Sequence, residues 1–242
     1  MPKKQVALFI VEGVNDETAL ALPLERLLTT EHVKFEITNG DVTSNYYGKN
    51  IAARIGDCVK KHCEEYKYKI EDFAEVVLLT DMDGAFLDAE SILKDDLYGE
   101  PYYDTDCIIC NNPEMLYQSH VHKQQNLNRL ISLPNVYRRI PFSVYFFSCN
   151  LDHVICNNAN MPQNMKSSGA EAFRKRFHND PNGLLAFFSS EGRTVGQSYY
   201  QSWEYIKEGT NSLKRCSNLS IYLSPDAIRI SRDFSYLSGI MK

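Results

Sequence analysis

The sequence is short of positive charge. Its 26 lysines and arginines are outnumbered by 31 aspartates and glutamates, giving a formal net charge of −5. No global basic field exists to hold a polyanion, so local basic patches or a metal ion would have to grip one. No apolar run approaches the roughly 18 residues that cross a bilayer. The opening Met1-Pro-Lys-Lys4 is followed by apolar residues only from Val6 to Val11. That is too little for a secretory leader and carries no small-residue cleavage site, so a cytoplasmic, non-membrane protein is expected. No Gly-rich loop ending in Gly-Lys-Ser/Thr occurs, which excludes a P-loop ATPase. Internal repeats and low-complexity tracts are also missing. Cysteine is present but unorganised: seven residues, with Cys107-Ile-Ile-Cys110 the only close pair. Neither Cys58 with His62 nor His120 with His122 completes a four-ligand zinc set. The cysteines read as small buried apolar residues.

What is present is an ordinary apolar fraction of 43%, arranged as strand, helix, strand, helix, strand. Val6–Val11, Val33–Ile37 and Glu75–Thr80 read as strands. Helices are expected over 17–28, with Leu20, Leu24, Leu27 and Leu28 inward and Pro23 bending it, and over 49–66, with Ile51, Ile55, Val59 and Cys63 inward. A short helix over 88–97, a turn-rich loop over 98–105, a brief strand at 107–110 and a helix over 124–133 follow. Phe142–Phe147 is a fourth strong strand. Residues 157–168 read as a loop or boundary. Beyond them come helices over 170–177, 181–189 and 197–207, a late strand at 219–223 and a polar tail. The expected fold class is α/β: a mostly parallel sheet flanked by helices. Residues 1–156 form its core, with an insertion at about 98–140, and 157–242 form a smaller, mainly helical C-terminal appendage.

Two apolar strands end abruptly in acids. Val6–Val11 runs into Glu12-Gly-Val-Asn-Asp16, and Val76–Thr80 runs into Asp81-Met-Asp-Gly84. Ligands of open parallel sheets bind at the carboxyl ends of the strands. Asp81 and Asp83 alternate around Met82, so an extended chain points both one way. Two like charges side by side are costly unless a cation neutralises them, and a hard divalent ion takes oxygen ligands. If the strands are neighbours, Glu12, Asp81 and Asp83 converge on such an ion. Asp16 serves equally as a helix cap.

These residues resemble a family. Glu12-Gly13 with Asp16 after one strand, and Asp81-Met-Asp-Gly-Ala85 after another, look like the Toprim domain of primases, topoisomerases, recombination proteins and small nucleases. The stretch Val11–Glu25 is similar to overcoming-lysogenization-defect nucleases. The likeness spans roughly residues 5–95, with 142–147 as a fourth core strand. It implies a Rossmann-like sheet, Mg²⁺ or Mn²⁺ on Asp81 and Asp83, and acid/base or ligand duty for Glu12. Asp16 and Asp152 would be auxiliary ligands. It further implies nuclease activity on DNA or RNA, a place in phage defence or a mobile element, and a protein partner such as an ATPase encoded alongside. The ATPase region of those nucleases is missing, and none of the fifteen tyrosines has a topoisomerase context.

Two other readings remain open. Asp81-Met-Asp-Gly-Ala-Phe-Leu-Asp88 is close to the nucleophile motif of haloacid dehalogenase-like phosphatases, although that motif usually opens the chain and carries Thr where Ala85 stands. Alternatively the acids only fold the sheet, and the chain is a catalytically silent binding module. Candidate nucleic-acid contacts are Arg138-Arg139, Arg174-Lys175-Arg176 and Lys214-Arg215, each of which also reads as a solvated face. Tyr199, Tyr200, Trp203 and Tyr205 could stack bases or pack the C-terminal region. His153 could aid proton transfer or be structural.

Overall fold

The computed structural model describes residues 5–44 and 50–224. Lys49 and the polar tail beyond Ser224 lie outside the described residues. The chain is α/β, built on a five-stranded sheet. In chain order come β1 (Val6–Val11), α1 (Val14–Leu27), β2 (His32–Ile37), α2 (Ile51–Tyr66) and β3 (Phe73–Asp81). Then follow β4 (Ile92–Lys94), β5 (Tyr102–Tyr103), β6 (Ile108–Cys110), α3 (Pro113–Leu130), β7 (Asn135–Val136) and β8 (Ile140–Phe147). The C-terminal region is helical: α4 (Leu151–Cys156), α5 (Gln163–Phe177), α6 (Pro181–Ser189), α7 (Tyr199–Ile206) and α8 (Leu219–Leu223).

The main sheet has the order β2-β1-β3-β8-β7. The first four are parallel neighbours, and β7 is an antiparallel edge on β8. A small second sheet, β4-β6-β5, holds the excursion between β3 and α3. Because β1, β3 and β8 are covered on both faces, their sequences are continuously apolar rather than alternating. Val6, Leu8, Ile10, Val76, Leu78, Val144 and Phe146 face the layer of α2, α3 and α7. Ala7, Phe9, Val11, Val77, Leu79, Tyr145 and Phe147 face α1, α4, α5, α6 and α8. Phe173, Phe177, Leu184, Phe187 and Phe188 of α5 and α6 sit in the same cluster as Phe9, Leu20 and Leu24, so α5 and α6 complete the sheet's second face.

Four expectations are corrected. The helix over 88–97 is a single 3₁₀ turn at Ala89–Ser91 running into β4, because Ile92 pairs with Ile108 to start the small sheet. The loop over 98–105 contains β5, antiparallel to β6. The boundary segment 157–168 already enters α5 at Gln163. The late strand at 219–223 is α8: Leu219, Tyr222 and Leu223 are its buried apolar residues, a spacing that suits a helix face. Two further helices are longer or new. The helix over 124–133 begins at Pro113, where the Asn112 side chain accepts from Met115 N at 3.1 Å, a cap with proline at the first helical position. The segment after β8, for which no element was expected, is α4, capped by the Asn150 side chain, which accepts from His153 N at 2.8 Å.

Candidate metal centre

Glu12 follows β1 directly, and Asp81 is the last residue of β3, beside it. The two strands pair in parallel, so the acids meet at one end of the sheet. Glu12 Oε1 accepts from the Asp81 backbone N–H and from Thr80 Oγ1, both at 3.1 Å. Asp81 Oδ1 in turn accepts from Leu151 N at 2.9 Å, which ties the β3 end to the start of α4. Asp83 does not continue the extended alternation expected of it. Its φ is +51°, and its N–H bonds to Cys149 O at 2.7 Å. A left-handed conformation at a non-glycine residue is a local strain held by its surroundings.

Two residues that the sequence reading passed over complete the site. The loop after β2 folds back because Thr38 N bonds to Val11 O and Gly40 N to Glu12 O. That places Asp41 next to Glu12, its Oδ1 fixed by the Thr43 N–H and hydroxyl, its Oδ2 by the Ser44 hydroxyl. Lys123, on α3, is fully buried. Its Nζ lies 2.9 Å from both Asp41 Oδ2 and Asp83 Oδ2. Its helix also grips the loops around it: Gln124 Nε2 donates to Ala85 O at 2.6 Å, and Asn126 Nδ2 to Thr43 O at 2.7 Å. Tyr103, from β5, donates its hydroxyl to Asp83 Oδ1 at 3.2 Å.

One carboxylate oxygen from each of Glu12, Asp41 and Asp83 lies within 4.8 Å of the others. Asp81 adjoins this set without belonging to it. Asp16 and Asp152 form a second layer: Asp16 Oδ2 accepts from Gly13 N at 2.7 Å, and Asp152 pairs with Lys166 of α5 at 3.1 Å. The electrostatics follow from crowding in a dry place. Burial, then the Asp41 carboxylate, holds Glu12 well above the usual carboxylate range, against the pull of Lys123. Burial and the Glu12 charge do the same to Asp81. Burial raises Asp16 to about 6, with Asp152 adding to the shift. Burial alone would also raise Asp41, but the Lys123 ammonium and the hydroxyls of Ser44 and Thr43 outweigh it, so Asp41 is lowered. Burial would likewise push the Lys123 ammonium down, yet Asp41, Asp83 and Glu12 hold it well above its ordinary value. A site with several oxygens and too much negative charge is chemically suited to a hard divalent cation.

The basic clusters are placed elsewhere. Arg138 and Arg139 directly precede β8, at the opposite end of the strand from the acids. Arg174 makes a two-pronged pair with Glu171, both bonds 2.6 Å. Lys175 also approaches Glu171, at 3.5 Å, and the Arg176 guanidinium lies over the Phe177 ring. Tyr199 and Trp203 pack against Tyr145 and Phe146, while Tyr200 is exposed. His153 Nδ1 is buried without a hydrogen-bond partner among the described residues. Compared with protein-family models, with curated proteins and with solved structures, the chain finds no match. Its function is therefore argued from the site alone.

Proposed function

We propose that this chain is a Mg²⁺- or Mn²⁺-dependent nuclease with a Toprim-like acidic centre, hydrolysing phosphodiester bonds in DNA or RNA. The observation that carries this reading is the convergence of Glu12, Asp41 and Asp83 oxygens within 4.8 Å of one another. An all-oxygen donor set fits Mg²⁺ or Mn²⁺ better than a soft metal. Glu12, Asp41 and Asp83 would hold the ion, with Asp81 beside them. Bound there, the ion would make a water more acidic and polarise a phosphoryl oxygen.

The chain's own groups then have defined tasks. Glu12 Oε1 is held by two donors, which leaves Oε2 to take the proton of the attacking water. A carboxylate with raised proton affinity suits a base working near neutral pH. The water oxygen bonds to phosphorus as the bond to the leaving sugar oxygen breaks. Lys123 orients Asp41 and Asp83, and its fixed positive charge balances charge gathering on the phosphate.

The test is incubation of plasmid DNA and of RNA with Mg²⁺ or Mn²⁺, wild type beside Asp83→Ala. Cleavage by the wild type alone, stopped by EDTA, is expected. Equal cleavage by both proteins would remove the reading, and turnover of p-nitrophenyl phosphate without any strand cleavage would replace it with a phosphatase.

A further inference from the structure

β5 with the loop after it, α4, and the segment 213–215 enclose a cleft of about 400 Å³, lined by Tyr103, Thr105, His153, Leu213, Lys214 and Arg215. It adjoins the acidic centre through one side chain. The Tyr103 ring lines the cleft while its hydroxyl reaches Asp83. That tyrosine is fixed: the Asn160 side chain accepts from its backbone N–H at 2.8 Å and donates to its carbonyl at 2.7 Å.

The cleft carries two cations, Lys214 and Arg215. Lys61, Lys123, Lys166, Arg174 and Lys207 each pair with a carboxylate. Among the described residues neither Lys214 nor Arg215 does, although Asp104 stands at the same cleft. Arg215 is anchored by its Nε, which donates to the carbonyls of His153 and Val154 at 3.0 and 3.1 Å. The rest of its guanidinium has no partner among the described residues. Burial, then the nearby Arg193, disfavours its charge, a penalty that a bound anion would relieve. An anchored guanidinium and an exposed ammonium beside an aromatic ring and an aliphatic side chain form a mixed surface, anion-selective at one end and apolar at the other.

We propose that this cleft seats the nucleotide adjoining the scissile bond, its phosphate on Lys214 and Arg215 and its sugar and base against Leu213 and Tyr103. The assignment rests on the nuclease reading and narrows its substrate. A cleft this size lies in the range of small-ligand pockets and takes one unpaired nucleotide, not a base pair. The strand therefore enters single-stranded, and stacking on an aromatic side chain tolerates any base.

The experiment measures fluorescence anisotropy of a 5′-phosphorylated, 3′-fluorescein tetrathymidylate in EDTA, so that binding is read without metal chemistry. Lys214→Glu, an exposed position that leaves folding intact, should weaken binding by about tenfold or more. Arg215→Gln should follow, checked by an unchanged melting curve. Thymidine 5′-monophosphate should compete and thymidine should not. Wild-type affinity in Lys214→Glu, or equal competition by thymidine, overturns the proposal. If binding depends on Lys214 but no wild-type cleavage is found with Mg²⁺ or Mn²⁺, the nuclease reading falls and the nucleotide cleft stands. If cleavage is found but Lys214→Glu binds normally, the cleft falls and the nuclease reading stands.

Discussion

At the scale of single residues, Lys123 is the hinge of the site's electrostatics. A buried ammonium between two carboxylates is worth little as a pair, yet removing one partner strands the others. Lys123→Met keeps the volume and should cost roughly 3–5 kcal/mol in urea unfolding of the metal-free protein, while Mn²⁺ binding tightens because Asp41 and Asp83 are released. Looser Mn²⁺ binding in that variant would count against a shared site. Two other residues set opposite pH limbs. Burial raises Asp16 from 3.8 to about 6, so the folded state binds this proton more tightly, and stability falls as pH rises from 4 to 6. Asp16→Asn keeps the acceptor for Gly13 and should stabilise the metal-free protein at pH 7.5 by up to about 3 kcal/mol, with no gain at pH 4. Burial, then Lys123, lowers His120 from 6.5 to about 4. Its linkage has the other sign: stability is lost as pH falls from 6.5 to 4, and His120→Leu should remove that loss. Denaturant curves at pH 4, 5.5 and 7.5 separate the two.

At the scale of elements, the turn after β3 decides the geometry. Gly84 has φ +71°, and an added Cβ would come within 2.5 Å of Ile108 Cδ1. Gly84→Ala should cost about 2 kcal/mol through backbone strain and crowding and weaken Mn²⁺ binding by shifting Asp83, read by calorimetry. What was legible in the sequence follows the same division. β1, β3 and β8 announce themselves because both faces are buried, and the strand-end positions of Glu12 and Asp81 follow from that. Asp41 was hidden in the polar turn after Asn39-Gly40, where an aspartate is ordinary turn chemistry. Lys123 was hidden because the helix was expected to start at 124, just past it, whereas it begins at Pro113. Its signal was there: His120, Lys123, Leu127 and Leu130 are the buried residues of α3, one stripe with a lysine in it. The 219–223 stretch misled because five apolar-rich residues fit a strand or a helix turn equally until packing chooses.

At the scale of the whole molecule, the chain has clusters on two faces of one sheet; α5, α6 and α8 belong to the second of them and α7 to the first. Phe173 meets Phe177, Phe187 and Phe188 at centroid distances of 4.8, 5.2 and 6.2 Å. Phe173→Ala should lower stability by about 3–5 kcal/mol. If the helices and sheet fold as one unit, far-UV circular dichroism and Trp203 fluorescence, which reports the other face, shift to the same new midpoint. Separate midpoints would mean that residues 157–224 unfold independently.

The lysine inside the acid cluster has one more implication. A pocket of carboxylates normally waits for an ion before its loops can settle, and such a protein is born soft in a cell poor in free cations. Here a tethered ammonium, delivered by α3 during folding, acts as the placeholder. On the proposed reading the polypeptide would settle its acidic loops before any ion arrives, and an incoming cation would compete against a covalently attached rival for its seat.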